Sequence, residues 1–340
     1  MSDLENSLGN QLCVVTGAGG FIASHLVEAL LSRGARVRAL VHYNALGAVG
    51  HLRDATSRSG SDRLEIVAGD VRDGRCMREL VTGAHVVFHL AALIGIPYSY
   101  VAPESYVDTN VKGTLNVLEA CRDAGVSRVL HTSTSEVYGT ARMVPMDEAH
   151  PLQAQSPYAA TKIAADKLAE SYFLSFQVPV TTVRPFNTYG PRHSLRGVLP
   201  TILSQALSDT CDRIELGSLD PVRDLTYVTD TANAYCEIAG APLETVAGRV
   251  YNLGTGHGVS IGDLAKMALR AAGIDKPVVS RTERRRPEAS EVMRLISNPA
   301  RVEAEVGWKA AVSLDEGLRR TVKWLKMHPA DERPVDHYAI

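Results

Sequence analysis

The chain has 340 residues, 45% hydrophobic and 22% charged, with a formal net charge of -2 at neutral pH. That length buries a sizeable core in one large or two smaller domains, and the charge balance gives no footprint for nucleic acid or an anionic membrane surface. No apolar stretch reaches the roughly 20 residues of a membrane-spanning helix, and the first ten residues lack the basic-then-apolar pattern of a secretory signal.

Short apolar runs alternate with amphipathic stretches through the first half. Residues 11–16 read as a strand, 21–33 as a helix stopped by Gly34, and 36–42 as a strand. A strand at 64–69 precedes a short helix at 74–81, and a strand at 85–91 precedes a helix at 107–124 stopped by Gly125. A strand at 128–134, a helix at 157–176 and a strand at 180–184 complete the series. Near-continuous apolar strands in this alternation predict a doubly wound, Rossmann-like parallel sheet covered on both faces. After Arg184 the periodicity weakens, and helices are expected at 200–208, 228–239, 261–272 and 314–326. The predicted organisation is an α/β dinucleotide-binding domain over 1–184, with 224–252 interleaved into it. A smaller mixed substrate-binding domain follows from 185–223 and 253–330, then a tail at 331–340.

Five cysteines (Cys13, Cys76, Cys121, Cys211, Cys236) are scattered with no CxxC pair. They read as small core hydrophobes in a reducing, cytoplasmic protein. The eleven histidines lack HxH or HxxxH spacing, so no metal site is expected.

Three segments carry chemistry. The first is Val14-Val-Thr-Gly-Ala-Gly-Gly-Phe-Ile-Ala23, where Gly17, Gly19 and Gly20 sit between a strand and a helix, with Phe21 and Ile22 opening the helix. Such a turn needs unusual backbone angles and no side chain in the way of a pyrophosphate, which the helix N-terminus then attracts. Residues at neighbouring strand ends, His42 and Asp70 with Val71, line the same side. The second strand ends at His42 with no acid for the adenosine ribose, which leaves NAD and NADP both open. Asp70 reads equally as an adenine acceptor or a turn acid.

The second segment is Tyr158-Ala-Ala-Thr-Lys162, whose four-residue spacing puts phenol and ammonium on one helix face. A nearby ammonium and a nicotinamide cation lower a phenol's pKa. The third is Thr132-Ser-Thr-Ser-Glu-Val-Tyr-Gly139. If the chain stays extended there, Thr134 and Glu136 project to one side and Ser135 to the other. Thr134 would bond the reacting oxygen, and Glu136 would remove a proton alpha to a newly formed ketone. The set reads as hydride chemistry on an alcohol carbon.

These residues resemble the extended short-chain dehydrogenase/reductase family of NAD-dependent nucleotide-sugar epimerases and dehydratases. The likeness runs over residues 11–326 and includes His89-Leu-Ala-Ala, Asn110-Val-Lys-Gly-Thr, Arg184-Pro-Phe-Asn187 and Arg223-Asp-Leu-Thr-Tyr-Val. Residues 91–100 and 184–194 are most similar to 4,6-dehydratases of the legionaminic acid pathway, which act on nucleotide-linked N-acetylglucosamine. The resemblance implies a resident NAD lined also by Leu90, Ala91, Ala92, Thr132 and Pro185. It implies a nucleotide-sugar substrate held by Asn187, Arg192, Val198, Arg223 and Arg286.

It assigns catalysis to Tyr158, Lys162, Thr134 and Glu136. Ser135 stands where many hexose dehydratases carry an aspartate that protonates the departing hydroxyl. Epimerisation at C4 and decarboxylation of a uronic acid use the same oxidation, so both stay open. A rival of another class, a regulator that binds NADP without turnover, loses the tyrosine that this chain keeps. Helices 107–124 and 157–176 retain apolar residues after meeting the sheet, and a homodimer through a four-helix interface is expected.

Overall fold

The structure is a computed structural model that describes residues 8–53, 61–284 and 287–328. Seven strands form one parallel sheet: β1 (Leu12–Thr16), β2 (Arg36–His42), β3 (Leu64–Gly69), β4 (Val86–His89), β5 (Arg128–Thr132), β6 (Val180–Pro185) and β10 (Val250–Leu253). Their order is β10-β6-β5-β4-β1-β2-β3. The direction of winding reverses between β1 and β4, and the crevice beyond the carboxyl ends of those two strands is where such sheets take ligands.

Strand alternation explains the two layers. Cys13 and Val15 of β1 face one side, against Leu26, Val27 and Leu30 of α1 (Phe21–Ser32). Val14 faces the other, with Met77 and Leu80 of α2 (Gly74–Val81). Two short helices, α3 (Ile96–Val101) and α4 (Pro103–Tyr106), lead into the long ones. Val117 and Leu118 of α5 (Gly113–Ala124) and Ala169 and Tyr172 of α6 (Pro157–Phe176) complete the second layer. The expected helix at 107–124 is a π-helical segment at Val107–Lys112 that runs into α5. Its Asn110 accepts from Leu93 N at 2.9 Å and donates to Leu93 O and Thr161 Oγ1, both at 3.0 Å.

Short strands at β7 (Asn187–Tyr189), β8 (Ile214–Leu216), β9 (Val222–Tyr227), β11 (Gly258–Ser260), β12 (Val278–Ser280) and β13 (Arg294–Leu295) build the second part. β9 is flanked by β11 and β13 and also pairs with β7, while β8 pairs with β12. Leu199, Ile202 and Leu203 of α7 (Val198–Leu207) pack there with Leu225 of β9. α8 (Val228–Gly240) returns to the first sheet and contributes Tyr235 and Ile238 to the layer of α1. α9 (Leu243–Val246) leads into β10, and α10 (Ile261–Ala272), α11 (Ala300–Val306) and α12 (Leu314–Met327) follow. The tail predicted at 331–340 lies outside the described residues.

Cys13, Cys121 and Cys236 are buried as free thiols, and Cys76 and Cys211 are half-buried. Among the described residues no helix is long and apolar enough to cross a membrane.

Candidate active site

The turn after β1 is shaped for close approach. Gly17 has φ +68, and a Cβ there would meet Ala91 Cα at 2.8 Å. A Cβ on Gly19 would meet the Val49 carbonyl oxygen at 2.8 Å. α1 begins at Gly20 with no side-chain cap and no acid in its first turn, which leaves its positive end to a ligand. Thr16 Oγ1 accepts from the N–H groups of Leu90 and Ala91, both at 3.1 Å, and joins the ends of β1 and β4 across the crevice. This backbone-only cradle fits a dinucleotide pyrophosphate.

A cavity of about 360 Å³ adjoins it, lined by Gly17, Leu40, His42, Asp70, Arg72 and Ala91 among others. Val71 and Ala92 also line it. Arg72 was not anticipated from the sequence. Its Nε and Nη2 clasp the Asp70 carboxylate at 3.0 and 2.6 Å, and its N–H donates to Asp70 Oδ1 at 2.9 Å. Asp70 is therefore both a turn acid and a cavity wall, and its carboxyl is held below the ordinary range by the Arg72 hydrogen bond. His42 Nδ1 lies 3.8 Å from Asp70 Oδ2.

Tyr158 stands on the first turn of α6, which Ser156 caps by accepting from Ala159 N at 3.1 Å and Pro157 starts. Burial pushes the phenol's pKa up; the Thr134 hydroxyl opposes this, and the Glu136 charge adds to it. Lys162 is buried on the next turn, and its Nζ donates to the Thr132 carbonyl at 2.5 Å. Burial lowers its pKa to about 8. The expected lowering of the Tyr158 pKa is not produced by the chain itself. The ammonium is committed to Thr132, and desolvation dominates at the phenol.

The extended path expected at 134–136 is also corrected. Thr134 is extended, but Ser135–Tyr138 is a 3-10 turn that Thr134 caps by accepting from Glu136 N at 3.3 Å. The cap, rather than strand alternation, keeps Thr134 and Glu136 near the same phenol. Ser135 is buried, whereas Thr134 and Glu136 are half-buried.

Behind Lys162, Asp166 accepts from Arg184 Nε and Nη2 at 3.1 and 3.0 Å, with His131 Nε2 at 3.2 Å. This ionic cluster was missed, although Asp166 follows Lys162 by one helical turn. Thr132 Oγ1 accepts from Tyr235 at 2.9 Å, and Pro185 pairs with Leu253 at the sheet's end.

Asn187 and Arg223 come together through the second sheet, where Asn187 pairs with Leu225, two residues from Arg223. Asn187 Oδ1 is buried with no partner among the described residues, so it offers an acceptor for a ligand donor. Arg223 is buried and lies 3.7 Å from Glu291. Val198 opens α7. Arg192, expected at the substrate, instead binds α1, where Nη2 donates to Glu28 Oε1 at 2.6 Å and Nη1 to Ser24 Oγ at 3.2 Å. Arg286 lies outside the described residues. Among those described, no cluster of three or more His, Cys, Asp or Glu is placed to hold a metal ion.

Known proteins are similar to this chain over nearly its whole length. The UDP-glucose 4-epimerase of Mycolicibacterium smegmatis is 33% identical over 92% of this chain and 98% of its own. A dTDP-glucose 4,6-dehydratase of Streptomyces griseus is 33% identical over 95% of this chain and 96% of its own. DesIV, a dTDP-glucose 4,6-dehydratase of Streptomyces venezuelae solved with NAD and TYD bound, superposes with a TM-score of 0.82 at 29% identity, covering 93% of this chain and 97% of that one. The family model described as GDP-mannose 4,6 dehydratase matches residues 14–321, and with cradle, phenol and carboxylate all in place the chain belongs to that family of nucleotide-sugar enzymes.

Proposed function

We propose that the chain is an NAD-dependent nucleotide-sugar 4,6-dehydratase, and the observation that carries this is the placement of Glu136 on the turn that Thr134 caps, at the end of the same strand to which Lys162 of the Tyr158 helix is tied. A simple alcohol oxidation needs only the phenol. A carboxylate beside it supplies the second base that elimination requires. The glycine cradle and the cavity at Asp70 and Arg72 would hold NAD, which would supply reversible hydride transfer, with C4 as the donor carbon and C6 as the acceptor.

Tyr158 removes the C4 hydroxyl proton while Thr134 bonds the same oxygen. Lys162 keeps positive charge near the phenolate that results. The ketone acidifies C5–H, and Glu136 takes that proton. With Ser135 buried and a serine hydroxyl too weak an acid, Glu136 also protonates the departing C6 oxygen, which leaves as water. C5 then regains a solvent-derived proton through the same carboxylate, and Tyr158 releases its own. The net change is loss of one water, giving a 4-keto-6-deoxy sugar nucleotide.

Asn187 and Arg223 serve the diphosphate-linked part of the substrate. Likeness at residues 91–100 and 184–194 supports a UDP- or GDP-linked N-acetylglucosamine. A second reading, C4 epimerisation, draws support from the serine at 135 and from the epimerase among the relatives. Mass spectrometry of products from a panel of UDP-, GDP- and dTDP-sugars tests the proposal. Loss of one water supports it, while an isomer of unchanged mass or loss of carbon dioxide overturns it.

A further inference from the structure

The segment 190–197 leaves β7, crosses to α1 and returns into α7. Three of its residues fasten to one face of α1. His25 Nε2 donates to the Pro191 carbonyl at 3.2 Å. Arg192 donates to Glu28 at 2.6 Å and to Ser24 at 3.2 Å. The His193 ring lies flat on Phe21, with centroids 4.6 Å apart and planes at 6°. Phe21, Ser24, His25 and Glu28 are spaced three or four apart, so they form a single stripe that starts at the glycine turn.

This contact is built at a cost. Arg192 holds φ +69, a left-handed angle that a side chain disfavours. The Arg192 side chain is only 9% exposed and Glu28 is 32% exposed, so the pair is shielded from water on the arginine side. His193 is half-buried, and its Nδ1 is buried and unpartnered among the described residues. A Cβ on Gly197 would overlap the His193 ring, so that glycine leaves room for the ring on Phe21. Strained residues of this kind persist where the surroundings over-determine them, and they cluster at ligand clamps. The glycine turn is held from the other side too, by His51 N donating to Gly19 O at 3.0 Å.

We propose that segment 190–197 is a latch, with Arg192 as its positioning residue, that closes the substrate-binding part onto α1 and retains the dinucleotide between turnovers. The inference rests on the reading that Gly17–Gly20 cradles that cofactor. A reaction that returns its hydride needs no cofactor exchange, so slow release carries no kinetic penalty.

Two variants separate the latch from folding. Arg192→Gly removes the guanidinium and relieves the left-handed strain together. Glu28→Gln keeps shape and removes charge. The measurements are NAD content after purification, release rate in a chase with isotopically labelled NAD, thermal midpoint, and KM for the sugar nucleotide. The expected result is release at least about tenfold faster in both variants, a loss of about 1.4 kcal/mol of retention. Arg192→Lys should lie between, and Arg192→Gly should melt near wild type.

Wild-type release rates in both variants would overturn the latch. So would a raised sugar-nucleotide KM with release unchanged, which would return Arg192 to the substrate. A wild-type protein that binds no NAD would instead sink the cradle reading, and the latch with it.

Discussion

The Lys162 ammonium donates to the Thr132 carbonyl at 2.5 Å, which ties the second turn of α6 to the end of β5. Burial holds its pKa near 8, against the opposing pull of Asp166. The rate should therefore fall as pH rises through about 8, when the ammonium loses its proton. Asp166→Asn should move that limb to lower pH, and Lys162→Met should lower kcat by roughly 10²-fold or more. Stability runs the other way. Between about 8 and the ordinary lysine value of 10.5 the unfolded chain holds a proton that the folded chain has lost. Wild type should then gain stability relative to Lys162→Met as pH rises through that window. Rate profiles and denaturant melts across the range check both signs.

Gly17→Ala places a methyl within 2.8 Å of backbone at Ala91, at φ +68. Backbone cannot yield as a flexible side chain does. The left-handed angle alone costs about 1–2 kcal/mol, and the clash adds to it. The variant should melt lower and lose NAD affinity by isothermal titration, whereas Gly83→Ala, also left-handed but with nothing near its Cβ, should lose stability only.

Thr134 has two tasks, capping the turn at Glu136 and bonding at the phenol. Thr134→Val keeps the shape and loses both, with about 1 kcal/mol of stability expected from the cap and a clear fall in kcat. Thr134→Ser should restore most of each. Equal rates for the valine and serine variants would contradict the hydroxyl's role.

Most of the seven-stranded sheet and its helices was legible in the sequence because long periodic helices and apolar strands declare themselves. The helix at 157–176 and the strand at 64–69 have the predicted bounds. The strands of three residues or so in the second part were not, since such a length carries no period. The candidate site residues could be named by type and spacing, but their geometry could not. The turn at 135–138 replaced an extended strand. Arg192 found a carboxylate on α1, far along the chain, that nothing local announces. Arg72 lines the cavity beside the glycine turn while clasping Asp70, two residues before it, a pairing that no motif announces.

Apolar side chains remain uncovered on or beside the two long helices: Val107 is 50% exposed, Leu174 66% and Phe176 50%. We infer a homodimer through this face. Multi-angle light scattering at micromolar concentration should give twice the chain mass, and Leu174→Glu with Val107→Glu should halve it. A wild-type monomer would contradict the interface.

The central claim is that Glu136 removes and returns the proton at C5. The direct measurement is turnover of a reactive nucleotide sugar in heavy water, by wild type and by Glu136→Gln, with deuterium located by NMR. The account predicts a dehydrated product carrying deuterium at C5 from wild type, and a loss of about 10²-fold or more in rate for the variant. Wild-type speed from Glu136→Gln, or a wild-type product with no deuterium at C5, would contradict it.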